Sequence, residues 1–200
     1  MHRTRFADSG RFVPDDTTAP RRWLRGHYAI GRAERRHVSQ ITGLEQAAAA
    51  LFPVEDLPAP LRYRVTARDV LDEAQEVGRL WVAQDDSDRA VGFALADVVD
   101  GEAYLTEVDV HPEHARRGLG TRLVASVARW AEEEGFRSLL LVTFRHLPWN
   151  APFYRKLGFV PVPEGEMGSE LREIFAEEAC AGIDTCKRIA MRLMLPCPSA

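Results

Sequence analysis

Apolar residues recur at Val38, Ile41, Leu44, Ala48 and Leu51, three or four positions apart, the spacing of one helix face. Pro53, Pro58 and Pro60 end that pattern, because each lacks a backbone donor and fixes its own φ. A second helix is predicted from Thr66, which can cap it, through Val70, Leu71, Ala74 and Val77 to a stop at Gly78. The period then changes. Leu80–Gln84, Ala90–Val99 and Ala103–Val110 read as strands, separated by the charged turn 85–89 and by Asp100-Gly101, a dipeptide suited to a tight hairpin. They predict an antiparallel meander, and 27–32 reads as a further short strand.

Past Pro112 helical spacing returns at Leu119, Leu123, Val127 and Trp130, with Gly135 as its stop. The unbroken run Leu139–Val142 is that of a strand covered on both faces. A short helix over 151–157 closes at Gly158, and Phe159–Val162 reads as a strand. A helix over 167–181 turns Leu171, Ile174 and Phe175 inward, and alternation at Ile189, Met191, Leu193 and Leu195 marks the last strand. Residues 27–196 therefore read as one α+β domain with a mixed sheet. Residues 1–26, rich in polar residues and holding Pro14, Pro20, Gly10 and Gly26, read as a disordered basic extension, and 197–200 as a tail.

Composition narrows the class. A chain of 200 residues, 46% hydrophobic, can bury a core without disulfides or metal. No apolar run approaches the roughly 18 residues of a membrane span, and the amino terminus lacks a signal-type apolar segment, so a cytoplasmic protein is expected. Residues 1–36 carry nine Arg against four acids, a net +5 that leaves −9 for the rest of a chain whose total is −4. That acidic body disfavours nucleic acid as the main partner and suits a cationic substrate or none in particular. Cys180, Cys186 and Cys197 form no paired spacing and read as free thiols. Pro112 between His111 and His114 speaks against helical ligand spacing, and no metal site is expected. Glu170, Glu173, Glu177 and Glu178 read as a solvated helix face.

The stretch from Ala103 to Gly120 carries candidate chemistry. It joins a strand, a proline turn and Arg116-Arg117-Gly118-Leu119-Gly120 directly to the start of a helix. Gly118 and Gly120 lack Cβ atoms, so a ligand can approach their backbone. The first N–H groups of the helix have no intrahelical partner, and they sit at the positive end of its dipole. A pyrophosphate gains several hydrogen bonds there together. Gly-x-Gly alone would be read as a tight turn. A dinucleotide fingerprint would need glycine where Leu123 stands.

A second segment, Trp149-Asn150-Ala151-Pro152-Phe153-Tyr154-Arg155-Lys156-Leu157-Gly158-Phe159, follows about 30 residues on. With Val108-Asp109-Val110, the His111-Pro112 turn and Arg116–Thr121, this segment resembles the GNAT superfamily of N-acetyltransferases in motif, order and separation. The likeness covers roughly residues 27–162. It implies a mostly antiparallel mixed sheet flanked by helices, with splayed central strands, and acetyl-CoA as acyl donor. The donor would lie between the 103–110 and 138–143 strands, with its pantetheine arm along Val108, Asp109 and Val110. Its pyrophosphate would lie on Arg116, Arg117, Gly118, Leu119, Gly120 and Thr121, and Asn150 and Phe153 would touch its distal part. Direct attack by an acceptor amine is implied, with Tyr154 protonating the departing thiolate. The attacking amine needs a base, for which Glu107 is the first candidate and Asp109 the second; in a strand the two share a face. The family's loop usually opens with Gln or Arg three residues before the first glycine; here that position is Ala115, which predicts a modest change in donor affinity. A catalytically silent acyl-CoA-binding module is the rival reading. The acceptor has no legible motif, and a homodimer is left open.

Overall fold

The computed structural model describes residues 28–196; the readings for 1–26, for the tail 197–200 and for Cys197 lie outside the described residues. One seven-stranded sheet runs in the order β1-β2-β3-β4-β5-β7-β6. Its strands are β1 (Ala29–Arg32), β2 (Leu80–Gln84), β3 (Ala90–Val99), β4 (Glu102–Val110), β5 (Ser138–Phe144), β6 (Val160–Pro161) and β7 (Arg188–Met194). The helices are α1 (Arg35–Ala49), α2 (Arg68–Glu76), α3 (Leu119–Glu133), α4 (Ala151–Lys156) and α5 (Ser169–Cys180). Every neighbouring pair is antiparallel except β4–β5. No helix among the described residues is long and apolar enough to cross a membrane.

One face of the sheet packs on α3 and α4 through Leu123, Val127, Trp130 and Tyr154. The other face carries two separate apolar clusters. Val38, Ile41 and Leu44 of α1 and Leu71 of α2 cover Phe93 and Leu95 at one end. Leu171 of α5 covers Tyr104 and Leu140 at the other. Each fully buried aliphatic or aromatic side chain contributes about 1.5–3 kcal/mol, so each cluster is a substantial anchor. The interval between them is where polar side chains can reach the sheet without entering a core.

The predicted elements are all present, with local corrections. Leu51 falls beyond the end of α1 and is 50% exposed. On α2 only Leu71 and Ala74 are buried, and Val70 and Val77 face water. Thr66 does not cap α2, whose N-cap is Ala67 without a side-chain bond; its hydroxyl points to Glu107 instead. The β3–β4 hairpin turns on Asp100 and Gly101, both at positive φ (52° and 73°), as a tight primed turn requires. The Asp100 carboxylate then accepts the backbone N–H groups of Glu170 and Leu171 and so caps α5.

Candidate active site

Two irregularities of β4 create the site. Leu95 pairs with Glu107 but its neighbour Ala96 pairs with Leu105, so Thr106 is an extra residue, a bulge. In an uninterrupted strand Glu107 and Asp109 would follow Ala103 and Leu105 into the core under α3. The bulge reverses the parity. Val108 and Val110 join that core, while Glu107 and Asp109, opposite Leu95 and Phe93, face the interval between the two clusters of the other side. The second irregularity is the splay. β4 and β5 pair only at Ala103–Leu139 and Tyr104–Leu140, and beyond these the strands part.

The opening contains a cavity of about 270 Å³ lined by Val108, Asp109, Glu107, Asn150 and Tyr154, with Glu45 of α1 on its far wall. Tyr154 is 7% exposed, its ring held edge-on between Phe153 and Phe159 at 5.1 and 5.5 Å. Burial, then the charge of Asp109, pushes its phenol well above the ordinary range, so the hydroxyl keeps its proton. Asn150 is the residue before α4. Its carbonyl accepts the N–H groups of Phe153 and Tyr154, while its side-chain Oδ1 is buried without a partner. A buried acceptor left unmade costs about 1–3 kcal/mol, which a ligand N–H in the cavity would offset.

Glu107 and Asp109 share a hydrogen bond. Desolvation, then the charges of Asp109 and Glu45, raises Glu107 well above the carboxylate range. Desolvation raises Asp109 to about 7, with the charge of Glu45 adding to the rise and the Glu107 bond opposing it. Two close carboxyls with little water retain a proton that either alone would lose.

At the outer end of β4, Pro112–His114 forms a short turn and Arg116 sits at φ 59°. Gly118 is the N-cap of α3 at φ 77°, a backbone conformation that favours glycine. The loop rests on Tyr28, whose hydroxyl meets His114 Nδ1 at 2.7 Å and whose ring lies under the Arg117 guanidinium at 5.6 Å. Arg122 of α3 donates to the Tyr28 carbonyl. Arg116, Arg117 and Gly118 are exposed, Gly120 and Thr121 half-buried, and Leu119 anchors the loop in the core. Phe153 approaches Gly120, where a Cβ would meet its ring at 3.6 Å, so the loop and α4 adjoin. His111, Glu113 and His114 also come together here, their ligand atoms within 4.8 Å of one another.

The structure thus places Glu107, Asp109, Val108, Asn150 and Tyr154 around one cavity, with the glycine loop and Phe153 beside α4 and Val110 at the outer end of β4. Sequence reasoning missed Glu45, Thr66 and Asp56. Glu45 is 5% exposed, and a charge four residues after Ile41 on an apolar stripe was a readable signal. Asp56 is buried between Lys187 Nζ at 2.7 Å and His146 Nε2 at 3.0 Å, and it pins the proline loop to the start of β7. Its carboxyl is held low, first by the Lys187 bond. The acidic face of α5 is not uniformly solvated: Glu178 pairs with Arg188 and Glu177 lines a second chamber.

Comparison with known proteins accords with this geometry. The sequence profile of the Acetyltransferase (GNAT) family matches residues 41–159. A mycothiol acetyltransferase of Nocardiopsis dassonvillei is 34% identical over 146 residues, 72% of this chain. The chain spans 42% of that relative's length. Among solved structures, N-acetylglutamate synthase of Neisseria gonorrhoeae, complexed with coenzyme A and N-acetyl-glutamate, superposes with a TM-score of 0.64 at 16% identity, covering 86% of this chain and 36% of its own. PaiA N-acetyltransferase of Thermoplasma acidophilum, in complex with coenzyme A, gives 0.59 at 15% identity, covering 84% and 98%. With a profile match across more than half its length, the chain belongs to the GNAT acetyltransferase family.

Proposed function

We propose that the chain is an acetyl-CoA-dependent N-acetyltransferase in which an acceptor amine attacks the thioester directly. The observation that carries this reading is the parting of β4 from β5 into a cavity that brings Tyr154 and the Glu107–Asp109 pair together. The free edge of β4 at Val108–Val110 suits an amide-bearing arm, and the buried Asn150 Oδ1 suits one of its N–H groups. Arg116, Arg117 and the N–H groups of Gly118–Thr121 supply the charge and donors for a pyrophosphate. Arg116 and Arg117 follow Ala115, which stands where the family's loop usually carries Gln or Arg, and bring charge to the same turn.

The bound thioester supplies the activated acyl carbon; the protein supplies proton transfer and position. An ammonium entering beside Glu107 and Asp109 must lose a proton before its nitrogen can attack, and the carboxylate of the pair takes it. As the new C–N bond forms and the C–S bond breaks, the departing sulfur takes the Tyr154 proton. A phenol held above its ordinary range is protonated when the sulfur leaves, which is the state the step needs. Holding both reactants in one cavity supplies much of the remaining acceleration.

Amine-dependent release of the CoA thiol from acetyl-CoA tests this reading. Thiol release that requires both an amine and Tyr154 supports it. Retained acetyl-CoA binding without release for any amine would assign the chain to the silent acyl-CoA-binding class.

A further inference from the structure

A second chamber of about 970 Å³ adjoins the first on the side away from Tyr154, between the proline loop, α2 and α5. Glu45, Glu107, Leu57, Leu61 and Arg64 belong to the walls of both. Any acceptor that fills the larger chamber and reaches toward Tyr154 therefore passes Glu45.

Glu45 is built for a ligand rather than for the fold. It is 5% exposed, and one oxygen accepts the Thr66 N–H at 2.9 Å. The other, Oε2, is buried with no hydrogen-bond partner. No ion pair among the described residues neutralises it. A carboxylate in that state is expensive unless a cation comes to it. Thr66 joins Glu45 to Glu107, donating its N–H to one and its hydroxyl, at 3.4 Å, to the other, so the two acids flank a single residue. The chamber itself is acidic: Glu45, Glu107, Glu177 and Glu178 line it against the guanidinium of Arg64, which is exposed. Glu178 is already paired with Arg188.

Building on the acetyltransferase reading, we propose that Glu45 is a specificity residue that binds a second cationic nitrogen of the acceptor, so that the preferred substrate is a diamine or longer polyamine. One nitrogen stands at Glu107 and Asp109 beside the thioester. The other, a short aliphatic chain away, donates to Glu45 Oε2. A monoamine of the same length leaves that oxygen unpaired and binds more weakly. Glu45 does not touch the reacting atoms; once the Glu107–Asp109 pair has ionised, it acts on acceptor KM rather than on the chemical step.

The test compares 1,4-diaminobutane with butylamine as acceptors, in wild type and in Glu45→Gln. Glutamine keeps an oxygen for the Thr66 N–H while removing the charge. Wild type is expected to show a KM for the diamine at least about tenfold below that for the monoamine, the effect of one charge-assisted hydrogen bond. Removing the Glu45 charge also lowers Glu107 and Asp109, so the comparison is made at a pH where the pair has ionised in both proteins. There Glu45→Gln should raise the diamine KM by about tenfold or more, with kcat within about threefold and the butylamine KM within about twofold. Glu45→Asp, which keeps the charge, should retain part of the preference, and a melting shift with acetyl-CoA confirms that each variant is folded. Acetylation of both amines with equal KM in wild type overturns this inference and leaves the acetyltransferase reading standing. Acetylation of neither, with acetyl-CoA still bound, fails that reading instead. Calorimetry of 1,4-diaminobutane with the CoA-loaded protein then decides the subsite: binding that Glu45→Gln abolishes upholds it, and no binding, or equal binding in both, overturns it.

Discussion

At one end of the cleft the chain offers backbone N–H groups and two exposed arginines; at the other it offers the buried carboxyl of Glu45 and the half-buried ones of Glu107 and Asp109. The glycine loop needs no buried charge, because its donors are the unpaired N–H groups of a helix start and its cations stay hydrated. The carboxyl end works by the opposite means. Its acids are crowded and desolvated, so Glu107 and Asp109 are raised and Glu45 is left with a bare oxygen. On the proposed reading, an anionic donor and a cationic acceptor are drawn to opposite ends of one opening and meet where β4 leaves β5. Each end should fail in its own way when its chemistry is removed.

The largest effect is expected where the two ends meet. Tyr154→Phe should lower kcat by about 100-fold or more while acetyl-CoA affinity is unchanged, because only the proton donor is lost. Steady-state rates beside a binding titration check it. Glu107→Gln should cost about 100-fold in kcat/KM for an amine at neutral pH. In wild type the rate should climb through neutrality as the carboxyl pair ionises around the value of about 7 held by Asp109. A variant profile that keeps both the wild-type rate and its rise would move the base elsewhere.

Stability offers a way to sharpen the acidic side alone. Asp109 is raised in the folded state, so the fold binds its proton more tightly than the unfolded chain does. The associated stability is complete below the ordinary carboxylate range and is lost as pH rises toward about 7. Asp109→Asn should therefore be more stable than wild type at pH 8, by about 2 kcal/mol or more, with the difference closing only below about pH 4. Melting scans across that interval settle it. The smallest effect belongs to the loop side. Gly118→Ala meets no atom within 4 Å but must hold φ 77°, a strain of about 1–2 kcal/mol. It should weaken acetyl-CoA binding by about fivefold to thirtyfold and leave the acceptor KM alone, as paired titrations would show.

The same contrast explains what could be read from the chain. The loop end lies in one continuous stretch, from Val108 through Thr121, and α4 follows within about one βαβ length. Local periodicity placed both elements, and the resemblance of their paired motifs to a known family, not the glycines alone, marked them as a donor site. The acceptor end is assembled from α1, the 57–67 segment, β4 and α5, which meet only through the folded sheet. Nothing local announces that Thr66 turns its hydroxyl to Glu107 instead of capping α2. The bulge at Thr106 was equally hidden, because a strand with one extra residue has the same composition as one without. Its consequence is large: it moves Glu107 and Asp109 from the face of α3 to the cleft. Glu45 was legible in principle, as a lone charge on the buried stripe of α1.

Every role proposed for the site requires the parted strands to hold acetyl-CoA. Thermal unfolding with and without acetyl-CoA, with NAD as the control, tests that most directly. At about 100 times the dissociation constant, binding adds roughly 2.7 kcal/mol, which for a domain of this size is a shift of roughly 5–11 °C. A saturable shift of that size with acetyl-CoA and none with NAD is the predicted result. No shift, or an equal shift with both, would contradict it.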